Sequence, residues 1–193
     1  TASLDDALFI GDSRTVGISE YAGLEEPDFF CDVGMSVFNI YKKTISVPKV
    51  GKVTLEKLLD KKSYGKIYIM IGINELGYPA ESIMKEYKGL VDFVMKKQPN
   101  ATIIIQANMY VTKERSDTDK VINNQKISEL NGKIKALAQE KQAYYLDVNP
   151  LFDDGSGNLT AEKTKDGAHL YGKYYAQWGE WIKKETASLI GEG

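Results

Sequence analysis

Two apolar runs limit what this chain can become: Lys66 to Ile71 (Lys-Ile-Tyr-Ile-Met-Ile) and Ala101 to Ala107 (Ala-Thr-Ile-Ile-Ile-Gln-Ala). Both are short and almost free of polar groups, as expected of strands buried on both faces of a parallel sheet. Parallel neighbours cannot be joined by a tight turn, so each needs a long crossover, usually a helix. Between the two runs the chain supplies one. Ala80 to Gln98 carries Ile83, Met84, Tyr87, Leu90, Val91, Val94 and Met95 on one helical face, and Pro99 stops it.

The same alternation extends over the rest of the sequence. Ala7 to Ile10, Pro27 to Val33 and Ala143 to Val148 read as further strands. Helical spacing resumes at Val16, and further helices are predicted over Thr54–Lys62, Asp119–Gln142 and Tyr171–Ile190. Met35–Lys43 reads as loop or short helix, and the long connections are Lys42–Gly51 and Asn108–Thr118. Five strands alternating with helices predict an α/β fold, a five-stranded parallel sheet covered on both sides by right-handed crossovers. With 193 residues, 42% of them hydrophobic, the chain suffices for one core. No repeat, linker or low-complexity tract divides it, so a single domain over residues 1–193 is expected.

Charge and composition remove several classes of function. A net charge of -2 and a pI near 5.6 provide no basic field, and the lysines are scattered, so nucleic acid is not expected as a partner. No apolar run approaches the roughly 20 residues a membrane-spanning helix needs. The lone Cys31 has no partner for an intramolecular disulfide and reads as a small core residue. There is no His and Cys cluster for zinc. The acidic stretch Asp153–Asn158 fails the calcium-loop register, because Leu159 stands where glycine is required. Neither metal nor cofactor is expected. The chain begins Thr-Ala-Ser without Met, which suits an exported or cell-surface protein with its leader removed; a cytoplasmic place is the alternative. The sequence leaves the oligomeric state open.

Ligands of such sheets bind outside the carboxyl ends of the strands, so the turns after the strands are where chemistry is sought. Gly11-Asp12-Ser13 follows the first predicted strand, Gly34 the second, Gly72-Ile73-Asn74 the third, and Asp166-Gly-Ala-His169-Leu170 lies beyond the fifth. Together they place a hydroxyl, a glycine amide, a side-chain amide, and a carboxylate with an imidazole along one edge. Those are the parts of acyl transfer: serine needs a base, the imidazole needs a carboxylate to fix its tautomer, and the oxyanion needs donors. His169 is the only histidine in the chain. Each part also has a plainer reading. Asp and Ser are ordinary helix N-caps, and Asp166 three residues before His169 fits either one helical turn or a cap on the helix starting near Tyr171.

Taken together, these blocks resemble the SGNH hydrolases, also called the GDSL lipase and esterase family. The resemblance runs over nearly the whole chain. It implies a flavodoxin-like three-layer α/β/α sandwich, with Ser13 as nucleophile, His169 as base and Asp166 as its acid. It further implies an oxyanion hole formed by the amides of Ser13 and Gly34 with the Asn74 side chain. Two departures stand out: Arg14-Thr15 replaces the usual Leu-Ser, and Glu75 replaces the Asp that usually follows the asparagine. Arg14 and Glu75 are expected in supporting or substrate-contacting roles, and a cation at Arg14 favours a polar or anionic substrate. The expected function is hydrolysis of short-chain, chiefly acetyl, esters of a polar or carbohydrate alcohol. The alternatives are a thioesterase or lysophospholipase acting on longer acyl chains, whose groove Met35, Phe38 and Met109 would floor, and a non-catalytic carbohydrate-binding relative.

Overall fold

The computed structural model describes residues 1–191 of the chain. In order its elements are β1 (Ala7–Gly11), α1 (Ser13–Tyr21), β2 (Asp28–Cys31), β3 (Ile45–Val47), β4 (Gly51–Val53), α2 (Leu55–Lys61) and β5 (Lys66–Met70). There follow α3 (Ala80–Lys97), β6 (Thr102–Gln106), α4 (Lys113–Thr118), α5 (Asn124–Glu140), β7 (Tyr144–Leu146) and α6 (Gly172–Ile190). Five strands pair in the order β2-β1-β5-β6-β7, every pair parallel. That is the doubly wound order of flavodoxin-like sheets. The order reverses between β1 and β5, where Ile10 pairs with Ile69 and Gly11 with Met70.

Side chains alternate across this sheet, and the alternation divides the core in two. Leu8, Ile10, Ile67, Ile69, Ile103 and Ile105 face one way, into a cluster with Leu55 and Leu58 of α2, Leu90 of α3 and Ile134 of α5. Phe9, Tyr68, Met70 and Ile104 face the other way, against Ile18 of α1 and Trp178 and Ile182 of α6. β1 and β5 are buried along their whole length. This accounts for their apolar character, since both faces are covered; it is broken only by Lys66 at the start of β5, which pairs with Asp6.

The structure departs from the sequence expectations at the edges of elements. The segment Lys42–Gly51 is not a plain connection: with the residues after it, it forms the antiparallel β3–β4 hairpin, Ile45 opposite Val53 and Val47 opposite Gly51. Its strands have three residues each, too short to show alternation, and its turn has Lys49 at positive φ, as Gly51 is where β4 begins. The Asn108–Thr118 loop ends in α4, a short polar helix with no buried residue. α5 starts at Asn124, five residues late. Asp119 first folds back to accept the Val121 and Ile122 amides, and Asn123 then caps the helix. Cys31 lies only partly buried on the edge strand β2, and burial pushes its thiol up to about 12, so it stays neutral.

Candidate active site

Gly11 ends β1 at a point where a larger residue has no room. A Cβ there would lie 2.1 Å from Thr15 Oγ1 and 2.7 Å from the Met70 carbonyl oxygen. Asp12 is the N-cap of α1, accepting the Arg14 amide at 3.1 Å, so the helix begins at Ser13 and not at Val16. Because Asp12 takes the capping role, the Ser13 hydroxyl is left free. It stands at the first turn of a helix, where unpaired amides favour negative charge.

Ser13 Oγ lies 2.8 Å from His169 Nε2, and His169 Nδ1 lies 2.7 Å from Asp166 Oδ2. A carboxylate only accepts, so Nδ1 carries the proton and Nε2 offers its lone pair to the serine O–H. The Asp–His pair does not sit on a helical turn, as its spacing of three had suggested, nor does Asp166 cap α6. Both residues belong to a loop closed by the bridge between Thr164 and Leu170. Within it, Asp166 Oδ1 accepts the amides of Ala168 (2.8 Å) and His169 (2.7 Å), while the Thr164 hydroxyl donates to the His169 carbonyl at 2.6 Å. Burial works against the charge on Asp166. The two amides and the imidazole outweigh it and hold the carboxyl well below its ordinary range. The loop is braced from outside by Arg115, which donates to the Asp166 carbonyl at 3.1 Å, and by the Thr112 amide, which donates to the Gly167 carbonyl at 2.9 Å.

The oxyanion candidates follow β2 and β5, the strands on either side of β1. Gly34 is exposed at φ +79, in the segment after β2. Asn74 is in a 3-10 turn after β5, and its Nδ2 donates to the Met35 carbonyl at 3.0 Å, which leaves one N–H of the amide free. Gly72 enters that turn at φ +129, and a Cβ there would meet Leu130 Cδ2 at 2.9 Å and Asn108 Nδ2 at 3.0 Å. Glycine is required on both counts.

Arg14 and Glu75 are turned away from the edge. Arg14 is 1% exposed, and its guanidinium grips Asp12 through Nε to Oδ1 (2.9 Å) and Nη2 to Oδ2 (2.7 Å), with Nη2 also donating to Asn108 Oδ1 at 2.6 Å. This corrects the expectation of a cation facing the substrate: the charge is neutralised inside the protein. Glu75 is 0% exposed and accepts the Val37 amide on Oε2 at 3.0 Å, while Oε1 has no donor. Burial pushes its carboxyl up to about 7 against the pull of the Val37 amide, with Asp12 raising it further and Arg14 lowering it.

Behind the corner lies a network that motif reading passed over. Asn108 holds Arg14, donates to the Ile71 carbonyl at 3.1 Å, exchanges backbone bonds with the Asn131 side chain, and accepts Asn149 Nδ2 at 3.0 Å. The one signal for it in the sequence is Asn131, a carboxamide on the apolar face of α5.

A model of the GDSL-like lipase/acylhydrolase family matches residues 9–177. The platelet-activating factor acetylhydrolase IB subunit alpha1 of Pongo abelii is 26% identical over 110 residues, 57% of this chain and 46% of that protein, so the match spans less than half of the relative's length. Among solved structures, a Streptococcus pneumonia protein named for platelet activating factor superposes with a TM-score of 0.76 at 22% identity, over 93% of this chain and 83% of that one. An acetylxylan esterase from Geobacillus stearothermophilus superposes with a TM-score of 0.66 at 16% identity, over 100% and 96%. At these identities the two likenesses are of fold.

Proposed function

Because this chain belongs to the GDSL-like lipase/acylhydrolase family, whose members hydrolyse esters, we propose that it cleaves short-chain, chiefly acetyl, esters of a polar or carbohydrate alcohol with Ser13 as nucleophile. The observation that carries the reading is the row of two short hydrogen bonds, Ser13 Oγ to His169 Nε2 and His169 Nδ1 to Asp166 Oδ2. In this reading Ser13 Oγ attacks the acyl carbonyl while His169 Nε2 takes its proton, and Asp166 supports the imidazolium. The amides of Ser13 and Gly34 and the free N–H of Asn74 receive the oxyanion. The tetrahedral adduct collapses, the alcohol leaves with the proton from His169, and water repeats the sequence on the acyl-enzyme.

Support for a short acyl group comes from the methionines. Of the three residues expected to floor a groove for an alkyl chain, Met35 and Met109 are 0% and 1% exposed and belong to the core, which leaves only Phe38 exposed, against Tyr78. Two relatives named for acetyl esters point the same way. An open cleft of about 1190 Å³ adjoins Asp166 and Gly167 and reaches Thr112, Arg115 and Asp153, but none of Ser13, His169, Gly34 and Asn74 lines it, so it carries no argument about the alcohol. The test is a fluorophosphonate probe together with p-nitrophenyl acetate. The native protein is expected to take one label and to turn over the ester, and Ser13→Ala to lose both. A label that persists in Ser13→Ala moves the nucleophile elsewhere; a native protein that takes none is a binding relative.

A further inference from the structure

We propose that Glu75 is a positioning residue of the oxyanion hole, holding the segment Gly34–Val37 in the place from which Gly34 and Asn74 act. Resting on the ester-hydrolase reading, this gives a role to the one carboxylate of the site edge that no step of the chemistry uses. Asn74 and Glu75 are adjacent in one 3-10 turn, and both reach the same stretch of backbone two residues apart. Asn74 Nδ2 donates to the Met35 carbonyl at 3.0 Å, and Glu75 Oε2 accepts the Val37 amide at 3.0 Å. The side chains of Met35 and Val37 are themselves buried, at 0% and 2% exposure. The stretch is thus held by two apolar anchors and by two polar ones from the Asn74–Glu75 turn, while Asn39 ties it locally by donating to the Gly34 carbonyl at 3.0 Å and accepting the Ser36 amide at 2.8 Å.

Glu75 is an expensive way to make one hydrogen bond. A fully buried carboxyl with one oxygen lacking any donor costs free energy that an apolar residue would not. It also stands among Asp12 and Arg14 from the β1–α1 corner and Tyr87 from α3, whose buried hydroxyl likewise has no partner. What the carboxyl alone provides is an acceptor that reaches the Val37 amide from the turn carrying Asn74. It couples the two sides of the oxyanion hole. Leu or Met in its place would fill the space and leave the Val37 amide buried without an acceptor.

The consequence is catalytic and not a matter of affinity. Misplacing oxyanion donors by about 1 Å costs on the order of 10²-fold in rate, because the lost interaction forms with charge that develops in the transition state. Glu75→Ala is expected to lower kcat by roughly 10- to 100-fold with KM changed by less than about threefold. Glu75→Gln, which keeps a carbonyl acceptor for Val37, is expected to recover most of that loss. The decisive measurement is a double-mutant cycle on p-nitrophenyl acetate. If Glu75 acts through the hole, Glu75→Ala costs less in an Asn74→Ala background than in the native one. Losses that multiply in full, or a Glu75→Ala enzyme within twofold of the native kcat, overturn the inference. Should Glu75→Ala fail to fold, Glu75→Asp, one methylene too short for the Val37 amide, replaces it in the same cycle. An inactive native protein overturns the ester-hydrolase reading and this inference together; an active one with multiplicative losses overturns this inference alone.

Discussion

Single atoms decide the chemistry of this edge, and two carboxyls held in opposite directions show how. Asp166 is pulled below its ordinary range by two amides and an imidazole, so it is charged wherever His169 is asked to accept a proton. Its stabilising contribution is present above the unfolded pKa and fades as pH falls below it. Glu75 behaves in the reverse sense. Its folded value, about 7, lies above the ordinary 4.5, so the folded state binds the extra proton between those limits. Stability is therefore fully present below about 4.5 and is lost as pH climbs through 7. Melting curves of the native protein and Glu75→Gln from pH 5 to 8 check this: the native Tm is expected to drop relative to the variant over that range. Parallel pH dependences would remove Glu75 as the titrating group.

At the scale of elements, α1 and α6 show how a small residue sets a packing distance. Gly17 of α1 faces Tyr175 of α6, and a Cβ at Gly17 would lie 2.2 Å from Cζ of that ring. Replacing a mid-helix glycine by alanine gains about 1 kcal/mol of helix propensity, but overpacking a core contact costs roughly 1–3 kcal/mol and more where the ring is itself enclosed. Here the steric term wins. Gly17→Ala is expected to lower Tm by several degrees, at about 2–4 °C per kcal/mol for a chain of this size. Gly89 of α3, with nothing within 4 Å of an added Cβ, is the contrast: Gly89→Ala is expected to raise Tm. Thermal melts of the two variants side by side test the pair, and equal shifts would contradict the packing argument. Helix periodicity made α3 readable nearly to the residue. The β3–β4 hairpin was invisible because three-residue strands carry no period, even with Pro48 and Gly51 flanking the turn.

For the molecule as a whole, the doubly wound order brings the ends of β1 and β5 together at the switch point and leaves the site open. The side chains of His169 and Asp166 are 45% and 49% exposed, so water reaches the triad candidates without any lid having to move. An open edge whose two neighbouring methionines are buried in the core has little to offer a long chain. Each buried methylene is worth about 0.8 kcal/mol, so a lipase would show a steep rise of rate with chain length. Here kcat/KM for acetyl, butyryl, octanoyl and palmitoyl esters of one leaving group is expected to be highest at acetyl or butyryl. A steady climb to octanoyl or beyond would shift the substrate to long acyl chains.

By itself the sequence determined the order of the five sheet strands and the helices that cross between them, and which turns carry the reactive side chains. Both follow from local causes: unbroken apolar runs mark strands covered on two faces, and glycine is required wherever the chain turns hard against a neighbour, as at Gly11 and Gly72. The tertiary structure alone decided where the side chains beside those residues point. Arg14, next to Ser13 in sequence, turns inward onto Asp12, two residues back, in a pocket completed by a second acceptor, Asn108, 94 residues along the chain. Glu75 turns inward because the Val37 amide is brought to it across the switch point from 38 residues away. A charged side chain at a corner goes wherever its desolvation is best compensated, and the partner that compensates it is supplied by packing.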